Sequence, residues 1–302
     1  MSAAARPGDG SRAEVRAAWG LLAPALTAIA LFFGVPVIAG LVLSFTDFDL
    51  YAIADPRNAR FVGLANYAEL LRDPLFWRAL GNTLVLVAAG VPLTLALALG
   101  GALLVSAGVT RLRGFWRTLF FAPVVTTLVA VAVVFRYLYH PRFGLFNEAL
   151  ALVGLPPVDW LGDPRFALAA IVLLAAWRSF GYGLVIFVAG LQAIPATLYE
   201  AAALDGASAW QQFRRITLPL LRPTLLFVAI ITTVGYFQVF AEPYVMTRGG
   251  PANATLSIAL LIYEQGFRWW NMGRASAIAF VLFALILAAS AAQALLERRR
   301  AA

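Results

Sequence analysis

Apolar positions along the chain gather into long runs that no charge interrupts: 17–46, 79–110, 118–135, 223–241 and 275–296. A sixth run, 166–199, is broken only by Arg178. A helix needs about 20 mostly apolar residues to cross the hydrocarbon core of a bilayer, and its backbone groups must be satisfied internally there. The pattern predicts six transmembrane helices, over about Trp19–Phe45, Leu80–Val105, Phe120–Tyr139, Phe166–Leu191, Pro223–Met246 and Ala275–Leu296. The fold class is an all-α membrane protein. It divides into a basic tail (1–18), a six-helix domain (19–296) and a short second tail (297–302). Between the first two spans, Asp73-Pro74 is expected to start a short helix along the membrane surface, with Phe76 and Trp77 at the headgroup level.

One polar, helix-prone stretch departs from this pattern: EAAALDGASAWQQFRRITLPLLRP, residues 200–223, within a loop spanning 192–222. Thr197 with Glu200 has capping-box spacing, so a helix should start there. Gly206 costs about 1 kcal/mol in a helix interior and is better placed at the helix exit, where positive φ is cheap. Ser208 with Gln211 forms a second capping box. Trp210, Phe213 and Ile216 then recur at spacing three, and Leu218-Pro219 and Arg222-Pro223 are expected to end this helix before the fifth span. The segment reads as two short capped helices joined at a glycine. Either it is an amphipathic hairpin resting on the membrane or a stiff knob held at both ends by membrane helices.

Charge refines the picture. Of 302 residues, 62% are hydrophobic and 13% charged, whereas a soluble domain carries about a quarter charged. All 23 basic residues are arginine. Net charge is +8, yet its placement argues against nucleic acid. With residue 1 inside the cell, the inner segments carry a net +7 and the outer ones are nearly balanced, following the positive-inside rule. Both termini are therefore expected in the cytoplasm. The first run is too long for a signal-peptide core and should be retained.

Candidate chemistry is sparse. Cysteine is absent, so disulfides and thiolate metal sites are excluded. Without lysine there is no phosphate-binding G-x-x-x-x-G-K-[ST] and no Ser–Lys dyad. His140 is the single histidine, which excludes an H-E-x-x-H zinc site. Asp47 and Asp49, in an outer loop, are the remaining paired carboxylates, and a membrane-embedded enzyme built on them lacks supporting groups. No catalytic residue, bound cofactor or metal is expected on this chain.

Polar groups inside the apolar runs are costly against lipid and should face the bundle or a water-filled path. The fourth span carries Trp177, Arg178, Ser179 and Tyr182; the fifth carries Thr232, Thr233, Tyr236, Gln238 and Glu242. Tyr236 and Gln238 can bind hydroxyls, and the face of Trp177 can stack on a sugar ring. Glu242 either pairs with Arg178 or lies near the outer surface. The plain alternative is hydrogen bonding between helices without solute contact. Gly181 and Gly183 read as close helix packing, Gly249-Gly250-Pro251 as a tight turn, and His140 as structural.

The pattern E-A-A, three residues, G, nine residues, I-x-L-P is matched at Glu200, Ala201, Ala202, Gly206, Ile216, Leu218 and Pro219. It resembles the signature loop of permease subunits of binding-protein-dependent ABC importers. FVGLANY, DPLFWRALGNT, WRSFGY, AGLQAIP and TRGGPANAT extend the likeness along the chain toward the carbohydrate branch. There the chain resembles the first of two paired permeases, as in maltose, lactose or glycerol-3-phosphate importers. The resemblance implies a type I importer fold whose coupling helix docks on an ATPase through Glu200, Ala201, Ala202, Asp205, Gly206 and Ala207, supported by Ile216, Leu218 and Pro219. Glu200 either only caps or also touches the ATPase. It further implies a path for a sugar or sugar-like solute past Trp177, Arg178, Tyr182, Tyr236, Gln238 and Glu242. The implied partners are a second permease, two ATPase copies binding ATP and Mg, an extracytoplasmic solute-binding protein and the lipid of a bacterial or archaeal cytoplasmic membrane.

Overall fold

The computed structural model describes residues 9–106 and 113–301; the extreme tails and part of the arginine-bearing link between the second and third spans lie outside these. Helix α1 runs through Asp9–Ile29, a π-helical turn at Ala30–Gly34, and Val35–Leu43. Its span, Glu14–Leu43, buries none of its side chains within the chain, and Phe32 and Phe33 are about 70% exposed. It is a peripheral helix, touching the bundle where Gly40 meets Phe280.

Asp49 caps the short α2 (Leu50–Ala54) by accepting from the Tyr51 and Ala52 N–H groups, and Asp47 accepts from the Arg60 N–H at 2.6 Å. Both carboxylates thus shape the loop between the first two spans. Helix α3 (Ala65–Arg72) is the surface helix of this region, and Asp73-Pro74 starts something longer. The Asp73 carboxylate accepts from the Leu75 N–H at 2.8 Å and pairs with Arg274, and Pro74 opens α4 (Pro74–Ser106), 33 residues in length. The second span therefore begins about a turn and a half before the apolar run. Phe76 is buried in the core, correcting its expected headgroup position, whereas Trp77 stays exposed and donates to the Leu71 carbonyl.

The third apolar run does not form one helix. Helices α5 (Arg113–Val125) and α6 (Leu128–Leu138) meet at 98°. Pro123 withholds a backbone donor, the Thr126 hydroxyl takes the Pro123 carbonyl at 2.7 Å, and Thr127 adopts an extended conformation to begin α6. Counting this bent pair as one, the described residues hold six apolar spans. Helix α7 (Leu145–Leu152) lies within the connection between α6 and the next span, where Asn147 donates to the Pro141 and Val158 carbonyls and His140 stacks on Phe143. Asp163 caps α8 (Pro164–Gln192), and hydrogen bonding from Arg165 holds its carboxyl below the usual carboxylate range.

After α8 come α9 (Ala196–Leu204) and α10 (Ala209–Gln212), then a π turn at Phe213–Thr217 and α11 (Leu218–Phe237). The chain bends at Gln238, continues as α12 (Ala241–Met246) and α13 (Ile258–Tyr263), and closes with α14 (Met272–Ala301). Helices α4 and α8 form the centre. Ala98 and Ala102 of α4 lie against Leu184 and Phe187 of α8 and Val228 of α11. A Cβ added at Gly183 would press on Ala98 and Val228, and one at Gly181 would run into the Phe120 carbonyl. Small residues allow this backbone approach, as the sequence suggested.

Candidate functional site

The α9–α10 corner is built by local hydrogen bonds. Gly206, at φ +75°, ends α9; its N–H donates to the Ala203 carbonyl and the Ala207 N–H to that of Ala202. This is the left-handed exit expected of glycine. Ser208 and Gln211 complete a reciprocal capping box. The Thr197–Glu200 box does not form: Pro195 is the N-cap of α9, no side chain caps it, and Glu200 is exposed within the helix. That removes capping as an explanation for this carboxylate.

Nor is α10 terminated at its prolines. The Leu218 N–H bonds the Phe213 carbonyl five residues back, so the π turn carries α10 directly into α11, with Pro219 in its first turn and Pro223 inside it. The fifth span thus begins at the corner, not at Pro223. The Tyr199 hydroxyl meets the Thr217 hydroxyl at 2.9 Å, and the Gln212 amide donates to the Ala207 carbonyl at 3.2 Å, fastening α9 to the root of α11. Glu200, Ala201, Asp205 and Gly206 are exposed; Ala202, Ala207, Ile216, Leu218 and Pro219 are half-buried. Leu204 is 90% exposed and Trp210 66%, an apolar surface on an otherwise polar corner. Leu204 and Tyr199 were not singled out by sequence, because a leucine and a tyrosine in a helix carry no pattern of their own.

A cavity of about 570 Å³ opens between α5 and α6, α8, and the α11–α12 bend. Arg178, Tyr182, Tyr236, Gln238 and Glu242 all line it, joined by Ser179 and Thr232. Trp177 does not. One helical step from Arg178, it turns out of that face and packs on Phe135 with ring centroids 5.1 Å apart. The Tyr236 hydroxyl is held by Thr94 at 2.9 Å, and its ring lies over Gly90, where a Cβ would collide with it. Arg178 and Glu242 share the cavity without forming an ion pair. The buried Nε of Arg178 has no hydrogen-bond partner. Thr233, by contrast, faces α14 and accepts from the Gln293 amide. Phe240 enters the wall at the break in the helix after Phe237, which hydropathy could not show.

Two quoted sequence motifs meet at the far end. The Asn82 amide donates to the Asn253 and Leu256 carbonyls at 2.8 and 2.9 Å, and the Ile258 N–H donates to the Thr83 hydroxyl. Thr255, Leu256, Ser257 and Ile258 are accordingly buried. The loop after α12 is an inserted element of the bundle.

Residues 105–302 match the family model described as binding-protein-dependent transport system inner membrane component. The chain is 35% identical to the lactose transport system permease protein LacF of Rhizobium radiobacter, over 93% of this chain and 94% of that one. It is also 35% identical to the trehalose/maltose transport system permease protein MalF of Thermococcus litoralis, covering 91% of each. To the arabinooligosaccharides transport system permease protein AraP of Bacillus subtilis it is 34% identical, over 89% and 84%. A bacterial ABC transporter involved in import of the acidic polysaccharide alginate contains a chain of the same fold. Its TM-score is 0.80 at 23% identity, covering 96% of this chain and 99% of that one.

Proposed function

The chain belongs to the family of binding-protein-dependent transport system inner membrane components, and from that premise we propose that it forms half of the path through an ATP-driven sugar importer. Relatives named for lactose, trehalose/maltose and arabinooligosaccharides favour a saccharide over glycerol-3-phosphate or another non-sugar solute. The protein is a multi-pass membrane transport subunit, not an enzyme. In this reading a second permease completes the path, two ATPases bind ATP and Mg, and a solute-binding protein delivers sugar from outside. The arginine distribution supports placing both termini and the α9–α10 corner in the cytoplasm.

One observation carries the mechanism. The exposed corner and the cavity wall share a single rod, because α10 continues through the π turn into α11, which bears Thr232 and Tyr236. When the ATPases close on ATP, movement of the corner moves α11, and the cavity changes which side it opens to. Glu200, Ala201, Asp205, Gly206 and Leu204 supply the ATPase-facing surface. Arg178, Tyr182, Gln238 and Glu242 offer donors and acceptors for sugar hydroxyls, while Tyr236 contributes its ring edge, its hydroxyl being held by Thr94.

The test is reconstitution of the complete importer in liposomes with a panel of lactose, maltose, trehalose and arabinan oligosaccharides. Uptake of at least one, dependent on ATP, is expected. Gly206→Pro removes both the left-handed conformation and the N–H bond to Ala203, so it should abolish uptake and lower ATPase recovery with the purified complex. Normal uptake and normal co-purification in that variant would remove the docking role.

A further inference from the structure

We propose that an aromatic cluster at the opposite end of the bundle from α9 is a sugar vestibule, where a pyranose unit stacks on Tyr244, Tyr263 and Phe267 before passing along Phe240 into the central cavity. This rests on the sugar-importer reading above.

Four rings touch in series. Phe240 stacks on Tyr244 at 5.3 Å between centroids, Tyr244 meets Tyr263 edge-on at 5.3 Å, and Tyr263 stacks on Phe267 at 5.8 Å. One end of the series, Phe240, is part of the central cavity wall. The other end opens on a separate cavity of about 360 Å³, walled by Tyr244, Arg248, Tyr263, Glu264, Phe267 and Arg268. That volume lies within the about 300–1,000 Å³ of small-ligand sites. The short helix α12 serves both cavities, carrying Glu242 in one wall and Tyr244 in the other.

The composition of this second wall suits a saccharide. A pyranose has apolar C–H faces and a rim of hydroxyls, so it is matched by ring faces bordered with charged hydrogen-bonding groups. Tyr244 and Phe267 are 40% and 62% exposed, leaving ring surface free. Arg268 and Glu264 stand 3.4 Å apart at the rim, presenting a donor fork beside an acceptor. Arg248 completes the rim at φ +51°, a conformation that non-glycine residues hold only where surrounding structure fixes it. Here the fixing bonds are those from the Gly250 N–H to the Thr247 carbonyl and from the Thr255 hydroxyl to the Gly250 carbonyl. The position of the cluster also fits: α11 alone, 20 residues long, spans about 30 Å, and Tyr244 lies past its end farther from the corner, on the side where solute enters in this reading.

The experiment uses the complete reconstituted importer and the sugar that its uptake panel identifies. Tyr244→Leu and Phe267→Leu should each lower uptake at saturating sugar about 5-fold, the size of one lost ring contact. Tyr244→Phe and Phe267→Tyr should retain it, and loaded binding protein should bind every variant complex as tightly as wild type. Saturation-transfer NMR of that sugar on the complex without binding protein should show contact that the leucine variants lose. If both leucine variants transport normally, the vestibule is overturned while the importer reading stands. If they instead weaken attachment of the binding protein and leave the sugar signal intact, the cluster is a protein-docking surface and the vestibule is again overturned. If the wild-type complex transports no sugar of the panel, the importer reading itself fails and the vestibule with it.

Discussion

At Gly90 a single methyl group decides where Tyr236 can sit. The tyrosine ring occupies the space of the missing Cβ, and its hydroxyl reaches Thr94 one turn further along α4. Gly90→Ala overpacks this contact, and overpacking a filled core costs about 1–3 kcal/mol. The variant should lower the unfolding temperature of the purified complex and push the ring toward the cavity, reducing uptake; an unchanged melting curve would contradict the contact. Arg178 makes the complementary case. An arginine at mid-membrane costs about 2.5–3.5 kcal/mol on insertion scales, yet its Nε is buried without a partner. Its place in the cavity wall beside Tyr182, Tyr236 and Glu242 gives it a role there. Arg178→Ala is therefore expected to change uptake kinetics while ATPase co-purification stays at wild-type level. Wild-type kinetics would take Arg178 out of the path.

Among elements, the π turn before α11 is the one on which coupling depends. In a regular α-turn the ring of Pro219 would meet the carbonyl four residues back, at Arg215; widening the turn to an i−5 bond at Leu218 avoids this. The same device precedes Pro36 in α1, where the Val35 N–H bonds the Ala30 carbonyl. Replacing Pro219 by alanine lets the turn close to an α-turn, which rotates α10 by about 100° relative to α11. We expect Pro219→Ala to leave ATP hydrolysis by the complex largely intact while uptake falls several-fold, measured side by side in the same proteoliposomes. A proportional loss of both would show that the turn sets folding rather than transmission.

Across the whole molecule, distant segments are tied at the end opposite the corner. Asp73 at the start of α4 pairs with Arg274 at the start of α14, and Asn82 and Thr83 hold the 253–258 loop through three hydrogen bonds. These ties join the starts of α4 and α14 and the 253–258 loop into one packed end. Losing a buried hydrogen-bond partner costs about 1–3 kcal/mol, so Asn82→Ala should raise amide exchange across 253–258 before it affects the corner. The orientation of the bundle can be read directly, since the chain has no cysteine of its own. Trp210→Cys should react with an impermeant thiol reagent only from the cytoplasmic side, and Phe267→Cys only from outside.

The apolar runs alone dictated helical spans and their rough extent, because burial of backbone groups in hydrocarbon permits little else. Gly206 and the Ser208–Gln211 box were legible for the same local reason: positive φ and unsatisfied helix N–H groups are met by neighbouring residues. What sequence left open needed contacts between residues far apart. Whether Thr197 caps, whether Pro219 and Pro223 stop a helix, and where the third span bends depend on competing bonds that the packed bundle selects. Trp177 and Arg178 are adjacent in the chain, and only the rotation of α8 against its neighbours put one in the cavity wall and the other on Phe135. The aromatic series from Phe240 to Phe267 likewise exists because the bend at Gln238 and the buried 253–258 loop fold two segments together, a juxtaposition that no local periodicity encodes.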